Sequence, residues 1–362
     1  MSQNHSLLNL IQPDLEIWEL KEELLAQGQA HLDSLTKPLG SLGRLEEIAR
    51  RLYAIHQGKK PLLVSPAILY TVAADHGVAE QKVSAYPQSV TRQMVANFLA
   101  GGGAINVLCR ENGLTFCLVD AGCKGGAFPE HPLLLERRLG DGTKDLSKTA
   151  AMSVAEALQG LVYGVELAKD AALEGCQCLA IGEMGIANTT AATALFCVYL
   201  NLNPKEITGQ GSGLSREGLE HKVEVISQAL NLHTEIVKGG QPLEILAALG
   251  GFEIAVMAGL MLGAASEHLP FLVDGFISLS AYVVAKALEP KVSAYAFLSH
   301  SSAEQGTALI LHRLGERPLL ELGLRLGEGT GAALAYPLLR SAAAIFNQMA
   351  TFSSAGIAGA RS

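Results

Sequence analysis

Glu328 stands inside the stretch LRLGEGTGAALA, residues 324–335, with glycines at 327, 329 and 331. Three glycines in five residues let backbone N–H groups come close to an anion, but a carboxylate among them repels one. The loop is either a phosphate loop with a misplaced acid or one that holds an acid for chemistry on something else. Its GEGTGA core formally matches GxGxxA, the relaxed dinucleotide fingerprint. That fingerprint requires a βαβ unit and a second acid about 20 residues further on, and no second strand pattern follows here.

Better anion sites lie elsewhere. TGQGSGL, residues 208–214, directly precedes a helical pattern that carries His221 and Lys222. Backbone amides at a helix start and a neighbouring ammonium suit a phosphate. In LSHSSAEQG, residues 298–306, Ser301 and Ser302 offer hydroxyls to the same kind of group, or cap the helix that follows. ADHG, residues 74–77, pairs one Asp with one His, with no second His at metal-ligand spacing, so no metal site is expected. No G-x-S-x-G elbow is present for nucleophilic catalysis.

The elements that must position these groups follow a repeated pattern. An apolar run ends in an acid near a glycine, and a helical period follows, at AILYTVAADHG (67–77), LTFCLVDAG (114–122), CLAIGEMG (178–185) and PFLVDGF (270–276). Short, continuously apolar strands alternating with helices predict an α/β fold, a Rossmann-like parallel sheet covered by helices on both faces. Ligands bind beyond the carboxyl ends of such strands. Asp75, His76, Asp120, Glu183 and Asp274 would all stand there. Helices are expected over 89–102, opened by Ser89 as cap, over 187–201, and over 215–230, capped by Ser215. The helical patterns at 42–57 and 331–349 have no strand partner. They are grouped as a small helical subdomain, residues 1–60 plus 331–362, beside a large α/β catalytic domain, residues 61–330.

Composition narrows the class. The chain has 362 residues, 49% hydrophobic and 17% charged, with formal net charge −8 and no basic block. Nucleic acid is not an expected partner. The six cysteines form no CxxC pair and mostly lie in apolar runs, which fits buried, reduced thiols in a cytoplasmic protein. The N-terminal residues have neither the basic start nor the apolar run of a signal peptide. Residues 245–265 approach the length of a bilayer span, with GxxxG at Gly259 and Gly263. Glu253 near the middle and the Gly250–Gly251 break predict instead a buried helix pair packed through small residues, with no membrane span.

Taken together, eight stretches in order resemble the nicotinate-nucleotide:dimethylbenzimidazole phosphoribosyltransferases: TKPLGSLGRLE (36–46), AADHGVA (73–79), SAYPQSVTRQMVANFLAGGGAINVL (84–108), GEMGIANTTAATAL (182–195), TGQGSGL, DGFISLSA (274–281), SHSSAEQG and LRLGEGTGAALA. The resemblance implies transfer of ribose 5-phosphate from nicotinate mononucleotide to 5,6-dimethylbenzimidazole, with no metal and no cofactor, by a homodimer. Nicotinate leaves as a neutral pyridine nitrogen and needs no acid. The attacking benzimidazole must lose a proton and needs one base.

By the same resemblance Glu328 is that base, with its flanking glycines giving clearance for a flat ring and Leu324 and Leu326 excluding water. Ser84, Tyr86, Gln88 and Leu326 line the base pocket. Glu183 is a second acid, for the ribose hydroxyls or the positive charge developing on the sugar. Met184 and Gly185 border the nucleotide, whose phosphate is held by Gly209, Gly211, Ser212, Gly213, Lys222, Ser301 and Ser302. Ala187 stands where the family commonly has glycine, which bears on substrate preference. Two other classes are weighed. A phosphoribosyl-pyrophosphate enzyme would carry paired acids after a strand, and none occur. A non-catalytic nucleotide sensor of the same fold would bind without turnover.

Overall fold

The computed structural model describes residues 8–13, 15–211 and 213–358. The four apolar runs become strands β1 (Ala67–Ala74), β2 (Thr115–Gly122), β4 (Cys178–Met184) and β5 (Phe271–Val273). Two three-residue strands that the sequence pattern did not single out, β3 (Leu134–Glu136) and β6 (Ala296–Leu298), complete the sheet. A run of three offers too few residues for a period to stand out.

All five pairings are parallel, in the order β3-β2-β1-β4-β5-β6. The chain winds outward from β1 to β3, then returns to the middle at β4 and winds the other way. The neighbours β1 and β4 thus flank the topological switch point, where the loops beyond them diverge and leave a crevice. Their register sets Val72 opposite Glu183 and Ala73 opposite Met184. The acid ending β4 therefore sits level with the last turn of β1.

Helices α1 (Glu22–Ser34), α2 (Arg44–Ile55), α3 (Ser89–Leu99), α4 (Ala104–Asn112), α5 (Val154–Leu173), α6 (Asn188–Leu200), α7 (Arg216–Leu232), α8 (Pro242–Leu249), α9 (Phe252–Ser266), α10 (Phe276–Leu288), α11 (Thr307–Leu314) and α12 (Thr330–Gln348) surround the sheet. Ser215 caps α7 as its sequence predicts, accepting the Gly218 N–H at 3.2 Å. Ser89 does not cap α3: the preceding Gln88 takes that place, already in helical conformation and with no side-chain cap bond. At the ends of the chain α12 packs on α2 and α4. His31 meets the Phe346 carbonyl at 2.8 Å, and Asn347 hydrogen-bonds both the N–H and the carbonyl of Leu62. The first half of α12 also lies against β4 and β5.

The apolar stretch near residue 250 is the expected pair of helices, α8 and α9, broken at Gly250–Gly251. None of the helices among the described residues is long and apolar enough to cross a membrane. Helix α9 is buried all round and presses on α5 through glycines from both sides. A side chain on Gly164 would run into the Val256 carbonyl, and one on Gly259 into the Leu161 carbonyl. Alanine at Gly164 must therefore push two backbones apart, and overpacking of that kind costs about 1–3 kcal/mol. Gly164→Ala is expected to lower the midpoint of denaturant unfolding with little change in slope; an unchanged midpoint would show that the helices can separate freely.

Candidate functional site

The glycine loop closes over the switch point. Gly327, Glu328 and Gly329 take φ values of 79°, 64° and 99°, three consecutive residues in the left-handed region. For a glutamate this conformation costs about 1–3 kcal/mol and persists only where the surroundings enforce it. Three contacts do so. The Glu328 N–H donates to the Glu183 carbonyl at 3.2 Å, Thr71 in β1 donates its hydroxyl to the Glu328 carbonyl at 2.7 Å, and Asp274 after β5 accepts the Gly329 and Ala332 N–H groups at 3.0 Å each. Asp274 thereby caps the start of α12 from a different segment of the chain.

The loop glycines fill a purpose the sequence did not reveal. A side chain on Gly327 would meet the Glu183 carboxylate, on Gly329 the Leu69 side chain, and on Gly331 the His300 ring. The Gly329 backbone itself rests on Gly182 of β4. The space expected as clearance for an aromatic ring is thus occupied by the protein, because this loop must lie flat on the strand ends.

Glu328 is 4% exposed. Burial pushes its carboxyl up to about 7, against the pull of the Ile105 N–H in the first turn of α4, with the Asp274 carboxylate adding to the rise. Its Oε2 has no hydrogen-bond partner among the described residues. Glu183, equally enclosed, is pushed up to about 8 by burial and then by Glu253, against the Asn188 amide, which donates to its Oε2. Asp274 is also raised, by burial first, although the neighbouring His300 and the loop N–H groups pull it down. Beneath them His76 pairs with Glu253 at 2.7 Å, both fully enclosed. Burial disfavours its charged form, but that carboxylate and Asp75 together outweigh burial and raise its pKa.

The expected phosphate groups converge from three segments. Lys222 is 1% exposed, and its ammonium donates to the Thr189 hydroxyl at 2.7 Å and reaches the Gly209 carbonyl at 3.5 Å. No carboxylate lies within ion-pair distance of it among the described residues. Burial accordingly draws it down to about 8, with Glu304 the one acid acting in the other direction. Gly211 and Gly213 take left-handed φ values of 54° and 113°, and Gly209 lies against Glu304 and the Gln305 N–H. Ser212 falls outside the described residues. Ser302 accepts the Glu304 N–H at 3.2 Å, and the Ser301 N–H donates to Leu320. These serines shape a local turn and do not cap α11, whose N-cap is Gly306. Arg325, which no sequence motif marks for this role, donates to the Gly211 carbonyl at 3.3 Å from the strand-loop side.

The base-pocket residues are more dispersed. Gln88 donates to the His76 carbonyl at 2.9 Å, which ties it to the strand ends. The Tyr86 N–H bonds the Ser84 hydroxyl at 3.4 Å, but the Tyr86 ring is 54% exposed. Leu326 is 57% exposed and so does not wall off Glu328 from water, contrary to expectation; the loop backbone turns its side chain outward. Met184 is half-buried, and Gly185 is squeezed between the Ala74 carbonyl and Asn188. Ala187 takes φ 75° just before α6, a conformation that favours glycine. An open cleft of about 630 Å³ begins at Gln88 and is lined by Asp75, Ser89, Arg92 and Lys124. It does not include Glu328, Glu183 or Lys222, and one oxygen of its own acid, Asp75, is tied to the Lys124 N–H. The strand-end cluster differs from the cleft in its two strongly raised glutamates, while an unpartnered carboxylate oxygen is common to both, on Glu328 and on Asp75.

A family described as Phosphoribosyltransferase matches residues 17–357. The nicotinate-nucleotide–dimethylbenzimidazole phosphoribosyltransferase of Nitratidesulfovibrio vulgaris (strain DP4) is 53% identical over 354 residues, 98% of each chain. That of Chlorobaculum parvum is 51% identical over 331 residues, 91% of this chain and 93% of its own. The crystal structure of CobT from Thermus thermophilus superposes with a TM-score of 0.88 at 43% identity, covering 93% of this chain and all of that one. The chain belongs to the nicotinate-nucleotide–dimethylbenzimidazole phosphoribosyltransferase family.

Proposed function

We propose that the protein moves ribose 5-phosphate from nicotinate mononucleotide to 5,6-dimethylbenzimidazole, releasing nicotinate and α-ribazole 5′-phosphate, with Glu328 as the base. One observation carries the residue assignment: a carboxylate held in a left-handed loop at the switch point, with a free oxygen and a pKa pushed up to about 7. A base works best when its pKa lies near the working pH. The ring nitrogen of the benzimidazole attacks C1′ as the C1′–nicotinate bond breaks, and the proton on the other ring nitrogen passes to Glu328. The pair of electrons in the breaking bond stays on the pyridine nitrogen, so the leaving group departs neutral.

Glu183 plays a different part. Its carboxyl, raised to about 8, holds its proton to higher pH than that of Glu328, which is raised to about 7. A neutral acid hydrogen-bonds ribose hydroxyls and does not act as a counter-charge, which favours the hydroxyl role over stabilising positive charge on the sugar. Lys222, with the 208–214 loop, holds the phosphate, and positioning of both substrates supplies much of the remaining rate. Gln88, Ser84 and Tyr86 receive the benzimidazole, Tyr86 and Leu326 folding inward over it. The assembly we propose is a homodimer, and its six free cysteines, five of them buried, fit a reducing cytoplasm.

The test is incubation of the protein with nicotinate mononucleotide and dimethylbenzimidazole in the presence of a chelator. Nicotinate and α-ribazole 5′-phosphate are expected to appear together by chromatography; binding without release would favour the sensor class. Glu328→Gln is expected to lower kcat by roughly 10²-fold or more, since a positioned base is worth about 10²–10⁴-fold. Near-normal turnover would remove Glu328 from the mechanism. In the wild type kcat is expected to climb with pH through about 7, as the base loses its proton.

The same substitution has an opposite effect on stability. A carboxyl whose folded pKa is raised carries no penalty below its unfolded value, a growing one as pH rises from the unfolded to the folded value, and a constant one above that. Glu328→Gln removes that penalty, so its melting temperature is expected to exceed the wild type's by a margin that widens from pH 5 to pH 8. A constant margin would show that the carboxylate is not strained by burial.

A further inference from the structure

The cradle assigned to the phosphate already contains an anion. Glu304 lies in the turn between β6 and α11, and its carboxylate rests against Gly209, so closely that a side chain there would collide with it. The Gly211 N–H hydrogen-bonds the same carboxylate, and Lys222 and Arg325 are its neighbouring positive charges. The Gly211 N–H, which donates to Glu304, and the buried ammonium, which acts on it from beyond ion-pair distance, are both groups that a phosphate would use. Lys222 approaches the loop from the other side: a Cβ on Gly211 would lie 3.4 Å from its Nζ. A buried ammonium with one short hydrogen bond to a hydroxyl and one long bond to a carbonyl is poorly compensated, and a nearby carboxylate offsets part of that cost. Nothing in the chemistry of the reaction requires an acid at this end of the nucleotide.

We propose that Glu304 is an internal occupant of the phosphate cradle, which the nucleotide's 5′-phosphate displaces on binding. The proposal rests on the phosphate assignment given above. Glu304 stands at the start of a turn, two residues before Gly306, which has a left-handed φ of 85°, and its side chain is half-buried, so it can swing to solvent while the backbone stays in place. An occupied cradle sets a threshold. A dianionic phosphate with several acceptor oxygens outcompetes one carboxylate, whereas weaker anions such as chloride or a carboxylate metabolite do not. Specificity for a phosphorylated nucleoside is then obtained partly by competition, at a cost in affinity.

The experiment is calorimetric titration of nicotinate mononucleotide, and of nicotinate riboside lacking the phosphate, into wild type, Glu304→Gln and Lys222→Ala proteins. Inorganic phosphate as a competitive inhibitor gives a second reading on the same three proteins. Removing an occupant that holds the cradle most of the time should tighten binding by the inverse of the free fraction, roughly three- to ten-fold. Glu304→Gln is therefore expected to bind the mononucleotide and inorganic phosphate that much more tightly, with the riboside unchanged. Equal or weaker mononucleotide binding would overturn the proposal and make Glu304 a support for the loop. Equal tightening of riboside and mononucleotide would also overturn it, because the gain would not concern the phosphate. If Lys222→Ala costs the mononucleotide nothing relative to the riboside, the phosphate assignment itself is wrong. If Lys222→Ala weakens the mononucleotide while Glu304→Gln does not tighten it, only the displacement is wrong.

Discussion

The pair of hydrogen bonds from Gly329 and Ala332 to Asp274 is the constraint on which the site depends. A strand-end carboxylate from β5 caps a helix near the other end of the chain, and an N-cap of this kind is worth about 1 kcal/mol. Its larger effect is geometric. By fixing where α12 begins, Asp274 fixes the three left-handed residues just before it, and so the direction in which Glu328 projects. Thr71 and the Glu183 backbone then hold the same loop from β1 and β4. Three strands of one rigid sheet therefore determine the position of one acid. A group placed in this way needs little rearrangement to act.

The same cluster concentrates buried charge to an unusual degree. Glu183, Glu328, Asp274, Glu253, His76 and His300 all lie within one enclosed region below the switch point. Ionising all of the acids together would be prohibitive in such surroundings, so their pKa values spread apart. His76 compensates Glu253, while the loop N–H groups and His300 pull Asp274 down against its burial. Glu183 and Glu328 are left without a cation, and both rise toward neutrality. The division of roles proposed for them rests on that spread: the group with the lower pKa is the better placed to take a proton, and the other to share one.

Much of this architecture is visible in the sequence because its main determinants are local. Apolar runs ending in an acid mark β1, β2, β4 and β5, and the Gly250–Gly251 break marks the junction of α8 and α9. The two strands of three residues leave no period to detect. What the sequence could not convey is which distant groups meet. Asp274 is recognisable as a strand-end acid, but its function as the cap of α12 depends on the return of the chain across the sheet. Asn188 and Thr189 follow the Glu183 turn directly, yet only the folded structure sets the first on Glu183 and the second on Lys222. Arg325 and Glu304 carry no signal of their own for the same reason. Side-chain exposure was also hidden: Leu326 beside a buried Glu328 reads as apolar cover, and the left-handed backbone between them turns it to water.

The glycines of the 327–331 loop serve a purpose that the sequence alone does not reveal. Glycine next to a reactive acid invites the idea of room left for a ligand, and the same residues would be chosen for that purpose. Here each missing side chain is replaced by protein: a carboxylate at Gly327, a leucine at Gly329 and a histidine ring at Gly331. Close backbone approach to the sheet lets Glu328 sit low enough to be dehydrated, and dehydration is what brings its pKa into the useful range. A bulkier loop would ride higher, admit water and leave an ordinary carboxylate, too weak a base at neutral pH for the same task. With Glu328 as the proposed base, the glycines would contribute to the chemistry indirectly, by lowering the acid into the protein.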